Sequence, residues 1–251
     1  MRKKIIGIFI ITLLTISATT TIATNINKNN YSKLKTIEPL DVPNGWLEGA
    51  DQYQIENISY GFVIQPSFPC AQEFKPSKET LTAVALPFFK FGDPPSGTTI
   101  TVWIRDELNG NDLATASIDT DNWRFKLNKG TWALFDFDDI ETTPEESYYI
   151  VCSADKGTFD PEDSNNTNTF CWFFDVSNKY DRGIAFQSND SGQTWPDLEN
   201  PFDDPEYVEC DFTFITYFQK PPKNKSTDIN LFLQKIVQRF PILEKILKQI
   251  I

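Results

Sequence analysis

From Asp51 to Phe218, short runs of β-branched and aromatic residues alternate with clusters of Gly, Pro, Asp and Asn. That rhythm predicts many short strands joined by turns, the pattern of an antiparallel sandwich or barrel. The runs lie at 58–64, 70–74, 81–89, 99–105, 114–118, 132–137, 148–154, 169–175, 184–189 and 209–218. Breakers between them include Pro94-Pro95-Ser96-Gly97, Asn109-Gly110-Asn111-Asp112, Asn128-Lys129-Gly130 and Ser191-Gly192. The run 99–105 alternates strictly. Ile100, Val102 and Ile104 share one face, and Thr101, Trp103 and Arg105 share the other. A segment of about 170 residues is long enough to build one sizeable core. No internal repeat is evident, which argues against a propeller.

The ends read differently. Arg2, Lys3 and Lys4 precede an uncharged apolar run from Ile5 to Ile16, then small residues ending at Ala23. This is the layout of a secretory signal peptide over 1–23. Residues 24–50 read as a polar leader, and 51–219 as the sandwich domain. Residues 220–227, rich in Pro, Lys, Asn and Ser, read as a second linker. In 228–251, Phe232, Leu233, Ile236, Phe240, Leu243, Leu247 and Ile250 recur at helical spacing, with Lys235, Arg239, Lys245 and Lys248 opposite. The expected element is a short amphipathic helix, interrupted at Pro241, that docks on the sandwich, lies on a membrane surface or serves as an anchoring or sorting tail, with membrane or cell-envelope contact favoured.

Charge and composition narrow the chemistry. The chain has no histidine, which removes Ser-His-Asp and Cys-His catalysis and histidine zinc sites. Residues 1–28 carry 4 basic side chains, and 220–251 carry 7 basic and 2 acidic. The remaining 29–219 carry 12 basic and 33 acidic side chains, net −21, a body that repels nucleic acid. Four cysteines in an exported chain predict two disulfides. Spacing alone leaves three connectivities open. Neighbouring apolar runs suggest Cys152 with Cys171, and the first and last runs suggest Cys70 with Cys210.

Ser188-Asn189-Asp190-Ser191-Gly192-Gln193-Thr194-Trp195 resembles the Asp-box of secreted β proteins, with Ser188, Asp190, Gly192, Thr194 and Trp195 at its defined positions. In families with this box it is a structural turn. An Asp accepts hydrogen bonds from the turn backbone, Gly permits positive φ, and Trp packs beneath. Sialidases carry several boxes; this chain carries one and lacks their arginine cluster.

A broader likeness runs through Ala71-Gln72-Glu73-Phe74-Lys75-Pro76, Leu81-Thr82-Ala83-Val84, Ile104-Arg105-Asp106, Phe135-Asp136-Phe137, Tyr148–Cys152 and Arg182–Phe186. The order is similar to that of jelly-roll modules of secreted prokaryotic, often archaeal, surface proteins, themselves similar to galactose-binding-like and carbohydrate-binding domains. The resemblance implies an all-β antiparallel jelly-roll β-sandwich that binds a ligand rather than catalysing, often with a structural calcium.

Candidate ligand contacts follow from the aromatics, because flat rings stack on the apolar faces of sugars. They are Trp103, Trp123, Trp172 and Tyr180, with Arg105 beside Trp103 on the polar face of its strand. Trp172 alternates with Phe170 and Phe174, which marks core or a hydrophobic groove. Asp136, Asp138 and Asp139 form a candidate calcium cluster, since that ion takes roughly six to eight oxygens. The expected function is an extracellular, non-catalytic module for carbohydrate or another envelope component. A carboxylate-dependent glycoside hydrolase or lyase and a purely structural adhesion protein are the rivals.

Overall fold

The structure, a computed structural model, describes residues 40–55, 60–122, 130–160, 166–176, 180–198 and 210–221. The expected signal peptide, the C-terminal helix and Trp123 lie outside them. The described residues form β1 (Ala50–Gln54), β2 (Tyr60–Ile64), β3 (Cys70–Phe74), β4 (Thr80–Phe91), β5 (Thr99–Arg105) and β6 (Ala114–Asp119). They continue with β7 (Thr131–Glu141), β8 (Tyr148–Ala154), β9 (Thr169–Asp175), β10 (Ala185–Gln187), β11 (Asp211–Phe212) and β12 (Phe214–Tyr217). All pairings between strands are antiparallel. One sheet has seven strands, with β9 between β2 and β4, β7 beyond β4, and β12 linking β4 to β1. The other has five, in the order β10-β3-β8-β5-β6.

The two sheets pack face to face as a β-sandwich. Phe62, Val84, Phe88, Phe170 and Trp172 of the larger sheet meet Ile100, Val102, Ile104, Ile150 and Cys152 of the smaller in one core. The alternation along β5 is realised: Ile100, Val102 and Ile104 are buried, and Thr101, Trp103 and Arg105 are partly exposed. In contrast, β9 is buried at every position. Its Phe170, Trp172 and Phe174 face the core, while Cys171 and Phe173 face outward beneath a second cover. A strand covered on both faces reads as a continuous apolar run.

That second cover revises the leader expected over 24–50. Its described part, from Leu40 on, is not a linker. Leu40, Val42 and Trp46 pack on the outer face of the seven-stranded sheet, with Trp46 edge-on to Trp132 at 6.3 Å. β1 then pairs with β12. No apolar run announces β1, because its inward residues are Gln52 and Gln54, buried through hydrogen bonds instead. The Gln52 backbone N–H donates to Thr216 Oγ1 (3.0 Å), its side-chain Oε1 accepts the Tyr180 hydroxyl (3.3 Å), and Gln54 Nε2 donates to Asp175 Oδ2 (3.2 Å).

The disulfide expectation is corrected. All four cysteines are buried free thiols. Cys152 faces the inter-sheet core, whereas Cys171 faces the outside of the opposite sheet, so they point to different compartments. Cys70 sits directly across from Cys152 in the β3–β8 ladder, and neither it nor Cys210 is in a disulfide. Burial pushes every one of these thiols up, Cys210 to about 12.

A polar network ties the sheets at one end. Gln72 of β3 donates from Nε2 to Asp211 Oδ1 (3.3 Å) and accepts from the Phe212 amide at Oε1 (2.7 Å). Tyr180 donates its amide to Asp211 Oδ2 (3.1 Å). Gln72, Asp175 and Asp211 are all buried, and buried polar groups persist only with such partners.

Candidate functional site

The outer face of the five-stranded sheet carries the odd residues of β3, β5 and β8, because successive side chains alternate faces. The ladders align them in rows. Phe186, Ala71, Val151, Trp103 and Thr115 lie across the sheet in one row. Beside it runs Thr101 with Ser153 and Ser117. On the other side runs Arg105 with Tyr149 and Glu73. Small Val151 lies low in this face, and larger side chains stand around it. The result is an open groove of about 410 Å³ bordered by Trp103, Arg105, Ser153, Asp155 and Trp195, and closed on one side by Pro66 and Pro69.

Trp195 reaches this face through the turn 188–195. The Ser188 hydroxyl donates to Asp190 Oδ1 (2.7 Å) and accepts the Gly192 amide (2.8 Å). Asp190 also accepts the amides of Gln193 (3.0 Å) and Thr194 (2.9 Å) at Oδ1 and the Thr194 hydroxyl at Oδ2 (2.6 Å). The Thr194 hydroxyl and amide, with Ser188, hold the Asp190 carboxyl down at about 2. Ser191 and Gly192 take positive φ, 63° and 85°, a region glycine enters without steric cost. After the turn the chain doubles back beside β10, with the Leu198 amide donating to the Ala185 carbonyl (2.8 Å). Trp195 then packs with Trp103 on Ala71, Val151 and Phe186. Its Nε1 donates to Asn109 Oδ1 (3.0 Å) in the β5–β6 loop.

Arg105 is held at the groove edge. Its Nε donates to Asp112 Oδ1 (2.7 Å) and its Nη1 to the Leu108 carbonyl (2.9 Å). At the far end Asp155 Oδ1 accepts the Thr99 amide (2.7 Å). Beside Arg105, burial raises the Tyr149 phenol, reinforced by Glu73 and Glu107.

Of the residues expected to touch ligand, the structure brings together Trp103 and Arg105. Trp172 and Tyr180 are elsewhere. Trp172 is fully buried, stacked on Phe212 at 4.3 Å, with Nε1 donating to the Thr213 carbonyl (2.8 Å). Tyr180 is buried against Phe214 at 5.0 Å, and its hydroxyl donates to Gln52 Oε1 (3.3 Å). Neither ring can meet a ligand. Trp195, expected as a turn residue, joins the groove in addition. Asp155, Ser153 and Asn109 carried no signal in the sequence, because only the ladders bring them beside Trp103.

The acidic trio of β7 is not gathered as a metal shell. Asp136 and Asp139 lie 2.7 Å and 3.9 Å from the Lys220 ammonium. Among the described residues no group of three or more acidic or sulfur side chains is placed to hold a metal ion.

Fold and groove together define a class, an all-β sandwich protein with an aromatic-walled groove on one outer sheet face. The chain matches no protein-family model, and no curated protein matches it.

Proposed function

We propose that this chain is an extracellular, non-catalytic jelly-roll module that binds carbohydrate in the groove between Trp103 and Trp195. The single observation that carries the reading is two partly exposed indoles on one sheet face, flanked by Arg105, Thr101 and Ser153. Stacked rings supply area to the C–H faces of a sugar, and the flanking donors and hydroxyls fix its orientation. Held between a rigid ladder and a hydrogen-bonded turn, the groove needs little ordering on binding, which lowers the entropic cost.

The jelly-roll assignment is supported by nested pairing. β2 pairs with β9, β3 with β8, β4 with β7 and β5 with β6. That is one long antiparallel ribbon rolled so that its strands alternate between two sheets, in orders 2-9-4-7 and 3-8-5-6. Binding is favoured over cleavage because glycoside hydrolysis takes a pair of carboxyl groups facing the scissile bond. Among the described groove residues the one carboxylate is Asp155, and it is engaged with the Thr99 amide. Calcium is not part of the proposal, since Asp136 and Asp139 flank Lys220. The reading places 1–23 as the export signal and 228–251 as an envelope contact.

A glycan array tests it. The chain without residues 1–23 is expected to bind a discrete set of glycans, and Trp103→Ala and Trp195→Ala are expected to lose them. An empty array, or a profile unchanged in both variants, would remove the groove from the account.

A further inference from the structure

We infer that the groove takes an uncharged glycan and that the Arg105–Asp112 pair sets this preference, an inference that rests on the carbohydrate reading above. Arg105 is the cationic side chain among the described residues lining the groove. Its charge is met at contact distance, with Asp112 Oδ1 2.7 Å from Nε. The Leu108 carbonyl takes a further hydrogen from Nη1. What the guanidinium still offers is direction without net charge: hydrogen-bond donors in a fixed plane.

The surroundings push the same way. Arg105 shares its row with Tyr149 and Glu73, so a second carboxylate stands on the same face. Glu107 follows in the adjoining loop, and Glu73 and Glu107 both act on the Tyr149 phenol. Asp155 occupies the opposite end of the groove. Over 29–219 the chain is net −21. A uronate or sulfate group therefore meets a cation that is already neutralised, a carboxylate at the other end and a repulsive long-range field. A neutral pyranose meets none of these penalties. It keeps the stacking on Trp103 and Trp195 and the hydroxyl contacts of Thr101 and Ser153.

Asp112 is thus a specificity-determining residue that acts through Arg105. Its removal leaves the stacking surfaces intact and uncovers a positive charge at the groove edge. The test is calorimetric titration of neutral hexose oligomers and uronate oligomers of equal length, into the wild-type protein and Asp112→Asn. Titrations run at about 0.01 M and about 0.15 M salt, between which the Debye length falls from ~30 Å to ~8 Å.

The wild-type protein is expected to prefer a neutral oligomer, with an affinity that does not change with salt. Asp112→Asn is expected to gain roughly two- to fivefold for uronates at the lower salt, the scale of one exposed charge pair, with a smaller gain at the higher salt. Its neutral-sugar affinity stays within that margin, and Asp112→Ser repeats the result. Three outcomes overturn the inference while leaving carbohydrate binding in place: wild-type preference for uronates, salt-sensitive binding of neutral oligomers, or uronate affinity unmoved in both variants. Silence toward every saccharide overturns the carbohydrate reading itself, and this inference with it.

Discussion

Trp103, on the polar face of an alternating strand, and Trp172, among apolar alternates, were both candidates for ligand contact, and the structure separates them by burial. Trp172 is sealed in the core, stacked on Phe212, and its Nε1 satisfies the Thr213 carbonyl. Replacing it with Ala removes a full aromatic side chain and leaves a cavity, a change that costs about 3–5 kcal/mol in tightly packed cores. The buried Thr213 carbonyl also loses its donor, which works in the same direction. For a domain of this size, 1 kcal/mol moves the Tm by roughly 2–4 °C, so the melting temperature should fall by roughly 6–20 °C. Trp103 stands on the outer face, partly exposed beside Thr101 and Arg105. Trp103→Ala removes surface area without opening the core, and the expected cost is below about 1 kcal/mol. Thermal unfolding followed by far-ultraviolet circular dichroism reads both. Equal losses for the two variants would refute the division between core and groove, as would a Trp172→Ala protein that melts like wild type.

Other consequences follow from particular groups. Asp190 is held at about 2, below the ordinary 3.8, by hydrogen bonds that only its carboxylate form accepts fully. A depressed folded value means that the turn is fully supported above about pH 4 and loses that support as pH falls toward 2. Trp195 fluorescence should report a transition in that window, and Asp190→Asn should abolish it. Gln72→Leu strands the Phe212 amide and removes a donor from Asp211 inside the core. A loss of about 1–3 kcal/mol by denaturant titration is expected, and wild-type stability would show that this bridge between sheets does not matter. The four thiols, buried and pushed up in pKa, should resist Ellman's reagent in the native state. All four should then react in guanidinium; a shortfall in unfolded protein would mean that disulfides exist after all.

Strands with an apolar face were legible because burial is written into residue type. β3, β5, β8 and β9 fall where alternation or continuous apolar runs place them. β1 was not legible, since Gln52 and Gln54 are buried by hydrogen-bond partners about 120–165 residues away. The site was legible in part. Thr101 and Arg105 around Trp103 marked a polar strand face, whereas Trp172 had only apolar alternates and lies in the core. The residue types in the turn announced its chemistry, backbone amides on the Asp190 carboxylate and a positive φ at Gly192. They gave no hint that Trp195 would reach Asn109, 86 residues away, because that contact depends on how the chain returns beside β10. The Cys152–Cys171 pairing failed for a similar reason: strand adjacency says nothing about which side of a sheet a thiol faces.

The most direct measurement is the set of tryptophan indole N–H resonances during titration with a glycan that binds. The Trp103 and Trp195 signals are expected to shift in a saturable way while the Trp172 signal stays in place. Movement of Trp172, or ligand saturation with Trp103 and Trp195 unmoved, would contradict it.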